Sequence, residues 1–272
     1  MKKRWSLILS GLFFVSTLHG QNLTVVGSPT VFDQISHFAR MAHLSEASVG
    51  VQVNNRFVRE LNVLDFFGAR PISSSVISGM YRTYGYLSYR EHSFAVGLSR
   101  VITPRWALGL QAIPKIETFG KEYKSQFSMD LNATSFARLN RNLYWDSEIN
   151  FPVRVSSNTR KDAPLQSFLR MGLSYVFSKQ CQVSVSVKQT LNYKTEVNLQ
   201  LVYLPISSLM IFGNVGSSSD IGLGVQYVFG QMMFRFQTQY RAVIGYSTTL
   251  GVSYQFNRIR KLSISVYEKN TH

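Results

Sequence analysis

Residues 246–256 read Tyr-Ser-Thr-Thr-Leu-Gly-Val-Ser-Tyr-Gln-Phe, and this stretch decides the fold. Its even-numbered positions hold Tyr, Thr, Leu, Val, Tyr and Phe, whereas its odd-numbered positions hold Ser, Thr, Gly, Ser and Gln. A period of two is that of a β-strand, in which successive side chains point to opposite faces. The stretch therefore predicts a strand with one apolar face and one polar, mostly uncharged face.

The same alternation recurs along most of the chain. Together with 246–256, we predict strands at 48–59, 78–90, 92–101, 105–118, 126–137, 145–155, 166–178, 181–192, 196–206, 209–215, 221–229, 233–241 and 261–268. Short turns at 103–105, 178–180 and 230–231 indicate antiparallel hairpins. We count about 12 to 14 strands.

A soluble β-sandwich and a membrane barrel share this alternation, and three features favour the barrel. The strands often exceed ten residues, whereas soluble strands usually have about 5–6. The polar face holds Gly, Ser, Gln, Asn and Arg rather than mixed Lys and Glu. Aromatic residues recur near strand ends, as interfacial girdles require. The predicted fold is all-β, an antiparallel transmembrane β-barrel with a short N-terminal helix, in the outer membrane.

The N-terminal residues predict export. Lys2, Lys3 and Arg4 precede a short apolar run, so residues 1–20 resemble a signal peptide. In 21–47, apolar residues at helical spacing predict a short amphipathic helix near 32–46 that covers or plugs a barrel end. We assign 48–256 to the barrel, and 257–272 to an extra terminal strand or a basic tail.

Charge and cysteine content limit the classes of partner that the sequence predicts. The net charge is +15, but the basic residues are scattered singly and no nucleic-acid recognition motif accompanies them. Outer-membrane lipid is the expected partner, with secretion-machinery proteins or exported proteins as further candidates, and we expect no nucleic acid. Cys181 is the sole cysteine, so no intramolecular disulfide is possible.

Two sets of residues are candidate functional sites. Five cations share the polar faces of their strands and are predicted to face the lumen: Arg154, Arg170, Lys188, Arg235 and Arg241. They would favour anions unless lumen acids neutralise them. The second set, Asn55, Arg56 and Glu60, is a candidate mouth or partner motif, in which Arg56 and Glu60 could instead pair to order the barrel mouth.

The sequence does not indicate an enzyme or a metalloprotein. A lipase-type site needs a Ser–His pair with an orienting group. His37 and His43 are six residues apart, and His92 falls in a predicted turn. No His-x-x-x-His, cysteine pair or calcium-loop spacing occurs. We therefore expect no catalytic residues, metal or cofactor.

Several short motifs, which occur in order across most of 48–256, resemble those of a known family. They are 53–61 (Val-Asn-Asn-Arg-Phe-Val-Arg-Glu-Leu), 84–89, 95–98 with 106–109, 150–153 (Asn-Phe-Pro-Val), 170–177 and 250–256. The chain resembles the PorV/PorQ-type outer-membrane proteins, within the wider FadL-like barrel superfamily. It differs from them in two ways: it lacks an Asn-Pro-Ala motif before the first strand, and it continues beyond the strand 246–256 to His272.

The resemblance implies a barrel of about 14 strands with a small N-terminal element near or in the lumen. It also implies a non-enzymatic role in surface protein export or assembly, as in type IX secretion. The alternative is a FadL-like channel for small hydrophobic or anionic solutes, and a structural barrel is the third hypothesis. A wide lumen with a side opening would favour the channel, and a lumen filled by side chains and the 32–46 helix would favour docking.

Overall fold

A computed structural model describes residues 29–56, 62–86, 89–119, 125–154, 166–242 and 245–256. These residues form a closed antiparallel barrel of 14 strands. Strand β1 pairs with β14 as well as with β2, with Val51 opposite Val252 and opposite Phe66. Closure pairs every strand on both edges, which satisfies the backbone without water.

The strands follow one another in simple up-and-down order. They are β1 (Ser48–Arg56), β2 (Val63–Ile72), β3 (Ser75–Tyr86), β4 (Tyr89–Thr103), β5 (Trp106–Phe119), β6 (Gln126–Arg138), β7 (Leu143–Arg154), β8 (Phe168–Ser178), β9 (Cys181–Thr190), β10 (Glu196–Ile206), β11 (Leu209–Gly216), β12 (Asp220–Phe229), β13 (Met232–Arg241) and β14 (Gly245–Gln255). Two short helices precede them, α1 (Asp33–Ser36) and a 3₁₀ helix (Phe38–His43).

The two ends of the barrel differ in their connections. At one end, which we call the turn end, two residues join β2 to β3, β4 to β5, β8 to β9, β10 to β11 and β12 to β13. Gly230 adopts a φ of 61° in the last of these turns, a conformation that glycine adopts without strain. The opposite end, the loop end, holds the longest connection, residues 155–167. In outer-membrane barrels, short turns of this kind face the periplasm.

Alternation gives the wall two chemically different faces. The outward face is a continuous apolar band, with Val96, Leu110 and Phe177 each more than 60% exposed. The inward face carries most of the polar and charged side chains of the strands, many of them buried. This arrangement is the reverse of a soluble β-domain, in which the apolar face is inside.

Strand β2 is absent from the sequence prediction because its alternation is weak. Phe67 and Ala69 are buried on the inward face, while Arg70 is exposed on the outward face. The lumen is apolar at this level, so the two faces of β2 do not contrast in polarity.

Other boundaries also differ from the prediction. His92 lies within β4 rather than in a turn. Residues 57–59 of the predicted first strand lie outside the described residues. The predicted signal peptide, 1–20, and the segment 257–272 with its predicted strand at 261–268 lie outside the described residues.

Candidate functional site: the plugged lumen

Residues 29–47, which we call the plug, enter the barrel from the turn end. The predicted single helix over 32–46 is wrong, because α1 and the 3₁₀ helix are separated at His37, whose φ and ψ are −161° and 83°. The Thr30 backbone N–H donates to Asp33 Oδ2 at 2.6 Å and begins the helical segment. Among the described residues, no helix has the length and apolarity to cross a membrane.

Glycines in the wall form the seat of Phe38, which is buried. A Cβ atom on Gly97 in β4 would lie 2.3 Å from Phe38 Cζ, and one on Gly109 in β5 would lie 2.7 Å from Phe38 Cδ1. Both distances are far below van der Waals contact. The 3₁₀ helix can therefore approach β4 and β5 because these positions carry no side chain.

A second pair of glycines receives the first residues of the plug. A Cβ on Gly50 in β1 would lie 3.1 Å from Val31 Cγ1, and one on Gly251 in β14 would lie 3.1 Å from Phe32 Cε1. The Phe32 ring also meets Phe67 edge-on, with centroids 5.7 Å apart. The plug thus spans from the β14–β1–β2 wall to the β4–β5 wall.

The wall around the plug is largely apolar, although polar side chains such as Ser99, Ser174 and Gln182 are also buried in this half. Buried side chains of the plug and of the strands near the turn end form one hydrophobic cluster. Its wall members are Phe67, Ala69, Val76, Met80, Ala95, Ile113, Phe136, Tyr144, Val176, Val202, Leu204, Met210, Phe212 and Met233. Most lie within a few residues of the turns, so the turn-end half of the lumen is filled like a protein core.

A buried imidazole–carboxylate contact joins the plug to the wall. His37 Nε2 and Asp146 Oδ2 of β7 are 2.9 Å apart, with side chains 0% and 4% exposed. Gly172 of β8 lies opposite Asp146, and a Cβ there would come within 2.3 Å of Asp146 Oδ1. Gly172 therefore leaves the room that the carboxylate occupies.

Phe136 of β6 is the wall residue around which the polar side chains of the plug lie. Its ring stacks on Tyr144 and lies 6.3 Å from the His37 ring and 6.0 Å from the His43 ring. The Arg40 guanidinium carbon is 5.8 Å from the Phe136 centroid, within cation–π range. Burial, and then the charge of Arg40, lower the pKa of His43 to about 4, so its imidazole is neutral at neutral pH.

Arg235 of β13 contacts the plug from the opposite wall. Its guanidinium carbon lies 5.7 Å from the Phe32 centroid and 5.6 Å from that of Phe212. Its Nη2 donates to Gln237 Oε1 at 3.3 Å. Asp146 and Arg235 are two charged wall residues that contact the plug, and both lie in the turn-end half of the lumen.

Toward the loop end, cross-strand ion pairs replace the apolar lining. Each joins adjacent strands: Arg82 Nε–Asp65 Oδ1 (2.6 Å), Lys115 Nζ–Asp130 Oδ2 (2.6 Å), Arg170 Nη2–Glu148 Oε2 (3.0 Å), Arg241 Nε–Asp220 Oδ2 (3.6 Å) and Lys188 Nζ–Glu196 Oε2 (3.9 Å). Each cation thus has an acid beside it, so these pairs do not add a net positive charge to this part of the lumen.

The structure positions the side chains of four of the five predicted lumen cations. Arg170, Lys188, Arg235 and Arg241 lie on the inward face of their strands. Arg154 is the last residue of β7, opposite Ser128 in register, and its side chain is outside the described part.

The second predicted set is less completely described. Asn55 is exposed on the outward face of β1, opposite Thr248 of β14. Arg56 is the last residue of β1, opposite Ser247, and its side chain lies outside the described part, as does Glu60 entirely. The Arg56–Glu60 pair stays a prediction.

No group of three metal-ligating side chains occurs in the part of the chain that the structure describes. His92 faces outward, where its Nδ1 lies 2.8 Å from the Tyr81 hydroxyl. Cys181 is a half-buried free thiol in β9.

Sequence reasoning missed the residues that seat the plug: Gly97, Gly109, Gly172, Phe136 and Asp146. Phe136 and Asp146 could have been recognised in the sequence, because an aromatic residue and an acid are unusual at inward positions where the neighbours are small and polar. The glycines could not have been recognised in this way, because glycine is also common on inward faces that contact no plug.

Comparison with known proteins finds similarity in structure alone. No family model matches the chain, and no curated protein does. The barrel superposes on a deltaS2 mutant of the monoaromatic hydrocarbon channel TodX, with a TM-score of 0.66, 9% identity, and 86% of this chain and 96% of that chain covered.

Two further structures give the same result. The toluene transporter TodX of P. putida matches with a TM-score of 0.63, 9% identity and coverage of 88% and 99%. The CymD monoaromatic hydrocarbon channel matches with a TM-score of 0.59, 10% identity and coverage of 88% and 99%. At such identities, these similarities show the fold alone.

Proposed function

We propose that this protein is an outer-membrane channel for small hydrophobic solutes whose lumen is closed by the plug. The observation that carries the proposal is the aromatic and methionine lining around the plug, inside a barrel with the fold of hydrocarbon channels. The outward apolar band supports the membrane location, since so large an apolar surface is stable against lipid and not against water.

The lining supports a hydrophobic rather than an anionic solute. Phe136, Tyr144 and Phe212, with the methionines 80, 210 and 233, face the plug segment. A shift of the plug would expose these apolar side chains to the passing solute. The cations farther along the lumen are beside carboxylates, which weakens their attraction for a free anion.

Passage requires the plug to move, because its side chains are buried against the wall on several sides. The seats of Phe38 at Gly97 and Gly109, and the His37–Asp146 contact, would open in that movement. The contact between Val31 and Gly50 offers a means to prevent it.

The test is uptake of a radiolabelled monoaromatic hydrocarbon by intact cells of a host that lacks a channel for it. We expect uptake above that of the empty host. A Val31→Cys/Gly50→Cys variant, made with Cys181→Ser, would place the introduced sulfur at position 31 near the present site of Val31 Cγ1. That site is 3.1 Å from a Cβ at residue 50, near the separation of about 3 Å across a disulfide.

Oxidation of this variant should reduce uptake to the level of the empty host, and a reductant should restore it. Each cell sample is its own control, because the oxidised and reduced forms share one sequence. A correctly folded barrel, identified by faster migration on an unboiled gel, that gives no uptake in either form would contradict the channel proposal.

A second candidate is a role in surface protein export or assembly, as in PorV/PorQ-type proteins. The filled turn-end half of the lumen favours it, since a barrel that serves as a docking platform needs no open path. Deletion of the gene in its own organism should then remove proteins from the cell surface without changing hydrocarbon uptake. Co-purification of the barrel with exported proteins would support this candidate.

A further inference from the structure

Three consecutive turns at the turn end carry an exposed basic side chain. Arg105 lies in the β4–β5 turn, Arg141 in the β6–β7 turn and Lys179 in the β8–β9 turn. Arg100, near the end of β4, is also exposed and points outward. Adjacent strands are about 4.8 Å apart, so neighbouring turns of this set are roughly 10 Å apart along the rim. We call these four residues the basic arc.

The remaining turns at the same end carry no charge. They are Ser73-Ser74 between β2 and β3, Ser207-Ser208 between β10 and β11, and Gly230-Gln231 between β12 and β13. Among the described turns at this end, the positive charge is therefore concentrated on one side of the rim.

Acidic residues do not accompany the arc within the described part of the chain. Every described carboxylate lies in the plug or on the inward face of a strand: Asp33, Glu46, Asp65, Glu91, Glu117, Asp130, Asp146, Glu148, Glu196 and Asp220. The barrel thus holds its acids inside and presents bases at this rim, which makes the local surface potential positive.

Two tryptophans stand beside the arc on the outward face. Trp106 directly follows Arg105, and Trp145 lies near the start of β7, after Arg141. Both are opposite Ala137 of β6 in register, one on each side of it. The Trp106 Nε1–H donates to Ser135 Oγ at 2.8 Å. Tryptophan prefers the boundary between acyl chains and headgroups, so the arc lies at headgroup level.

We propose that the basic arc binds the phosphate groups of anionic phospholipids in the leaflet next to the turn end. The arc directly borders the apolar band that acyl chains would cover, so one lipid can meet both surfaces at once. A phosphate there would meet two or more cations at the spacing of neighbouring turns. The proposal is independent of whether the lumen conducts a solute.

The test is titration of the purified full-length barrel in neutral detergent with phosphatidylglycerol, followed by native mass spectrometry. The variant is Arg105→Gln/Arg141→Gln. The matched control is Arg90→Gln/Lys194→Gln, which also removes two exposed charges, but from the loop end. Faster migration on an unboiled gel checks that each variant is folded.

Each charge near a membrane surface contributes about 1 kcal/mol, or roughly a fivefold change in affinity. We therefore expect the arc variant to bind phosphatidylglycerol about 25-fold more weakly, and the control to bind it about as well as the unmodified protein. Added salt should weaken binding to the unmodified protein.

Three results would overturn the proposal. One is equal loss of binding in the arc variant and the control. Another is binding of phosphatidylcholine as tight as that of phosphatidylglycerol. The third is an arc-dependent preference for lipid A over phosphatidylglycerol, which would assign the phosphates to the other leaflet.

Discussion

The turn-end and loop-end halves of the lumen are built from the same 14 strands, yet their chemistry differs. The turn-end half is filled by apolar side chains and the plug, whereas the loop-end half is lined by cross-strand ion pairs. Asp146 and Arg235 are charged wall residues in the turn-end half, and both contact the plug. Inside the lumen, the charged side chains named above therefore lie either beside an opposite charge or against the plug.

The largest expected effect follows from truncating the centre of the packed half. Phe136→Ala should lower the free energy of unfolding by about 3–5 kcal/mol, because it leaves a cavity between Tyr144 and the plug. Urea unfolding in vesicles measures it. Phe127→Ala is the control on the same strand, since Phe127 is 37% exposed on the outward face. A loss as large in the control would show that the plug seat contributes no special packing.

Overpacking the seat of Phe38 should have the next largest effect. Gly97→Leu must displace the Phe38 ring, and we expect a loss of about 1–3 kcal/mol with faster proteolysis of the plug. Gly79 on the neighbouring strand faces outward, and a Cβ there meets nothing nearer than 3.9 Å. Gly79→Leu is therefore the matched control and should leave proteolysis unchanged. Equal protection of the plug in both variants would mean that Phe38 does not occupy this seat.

A double-mutant cycle compares a polar contact from each half. His37→Gln with Asp146→Asn should give a coupling energy of about 1–3 kcal/mol, because the contact is buried. Lys188→Gln with Glu196→Gln should give less than about 1 kcal/mol, since that pair is 3.9 Å apart and Glu196 is more than half exposed. Unfolding in urea provides all the values. Similar coupling in both cycles would contradict the distinction between the halves.

The smallest expected effect is a pH dependence from His43. Its pKa in the folded protein is about 4, below the ordinary value near 6.5, so the unfolded chain binds the proton first as the pH falls. The free energy of unfolding should therefore decrease below pH 6.5, by at most about 1 kcal/mol between pH 6.5 and 5.5. His43→Gln should remove this part of the slope. An unchanged slope in that variant would assign the pH dependence to other groups.

The strands were the most predictable part of the molecule. Residues 246–256 and 221–229 alternate cleanly because their outward faces meet an apolar medium and their inward faces are polar, and the structure contains β14 and β12 there. The strand Val63–Ile72 escaped prediction because Phe67 and Ala69 on its inward face belong to the hydrophobic cluster, while most residues on its outward face are apolar as well.

The plug was predictable only in part. Apolar spacing in 32–46 predicted a helix, but local periodicity carries no information on the break at His37, which depends on contacts with Asp146 and Phe136 on distant strands. Likewise, strand parity predicted that four cations point inward, whereas the side chains that they contact depend on the register between strands. The four are Arg170, Lys188, Arg235 and Arg241.

The sequence by itself determined the β-class, the two-faced strands and the parity of their side chains, because a period of two is a property of local backbone geometry. The tertiary structure alone decided that 14 strands close, that glycines 97 and 109 receive Phe38, and that the carboxylates lie beside cations. These features join residues far apart in the chain, and register and closure are fixed by the sum of many such contacts rather than by any local pattern.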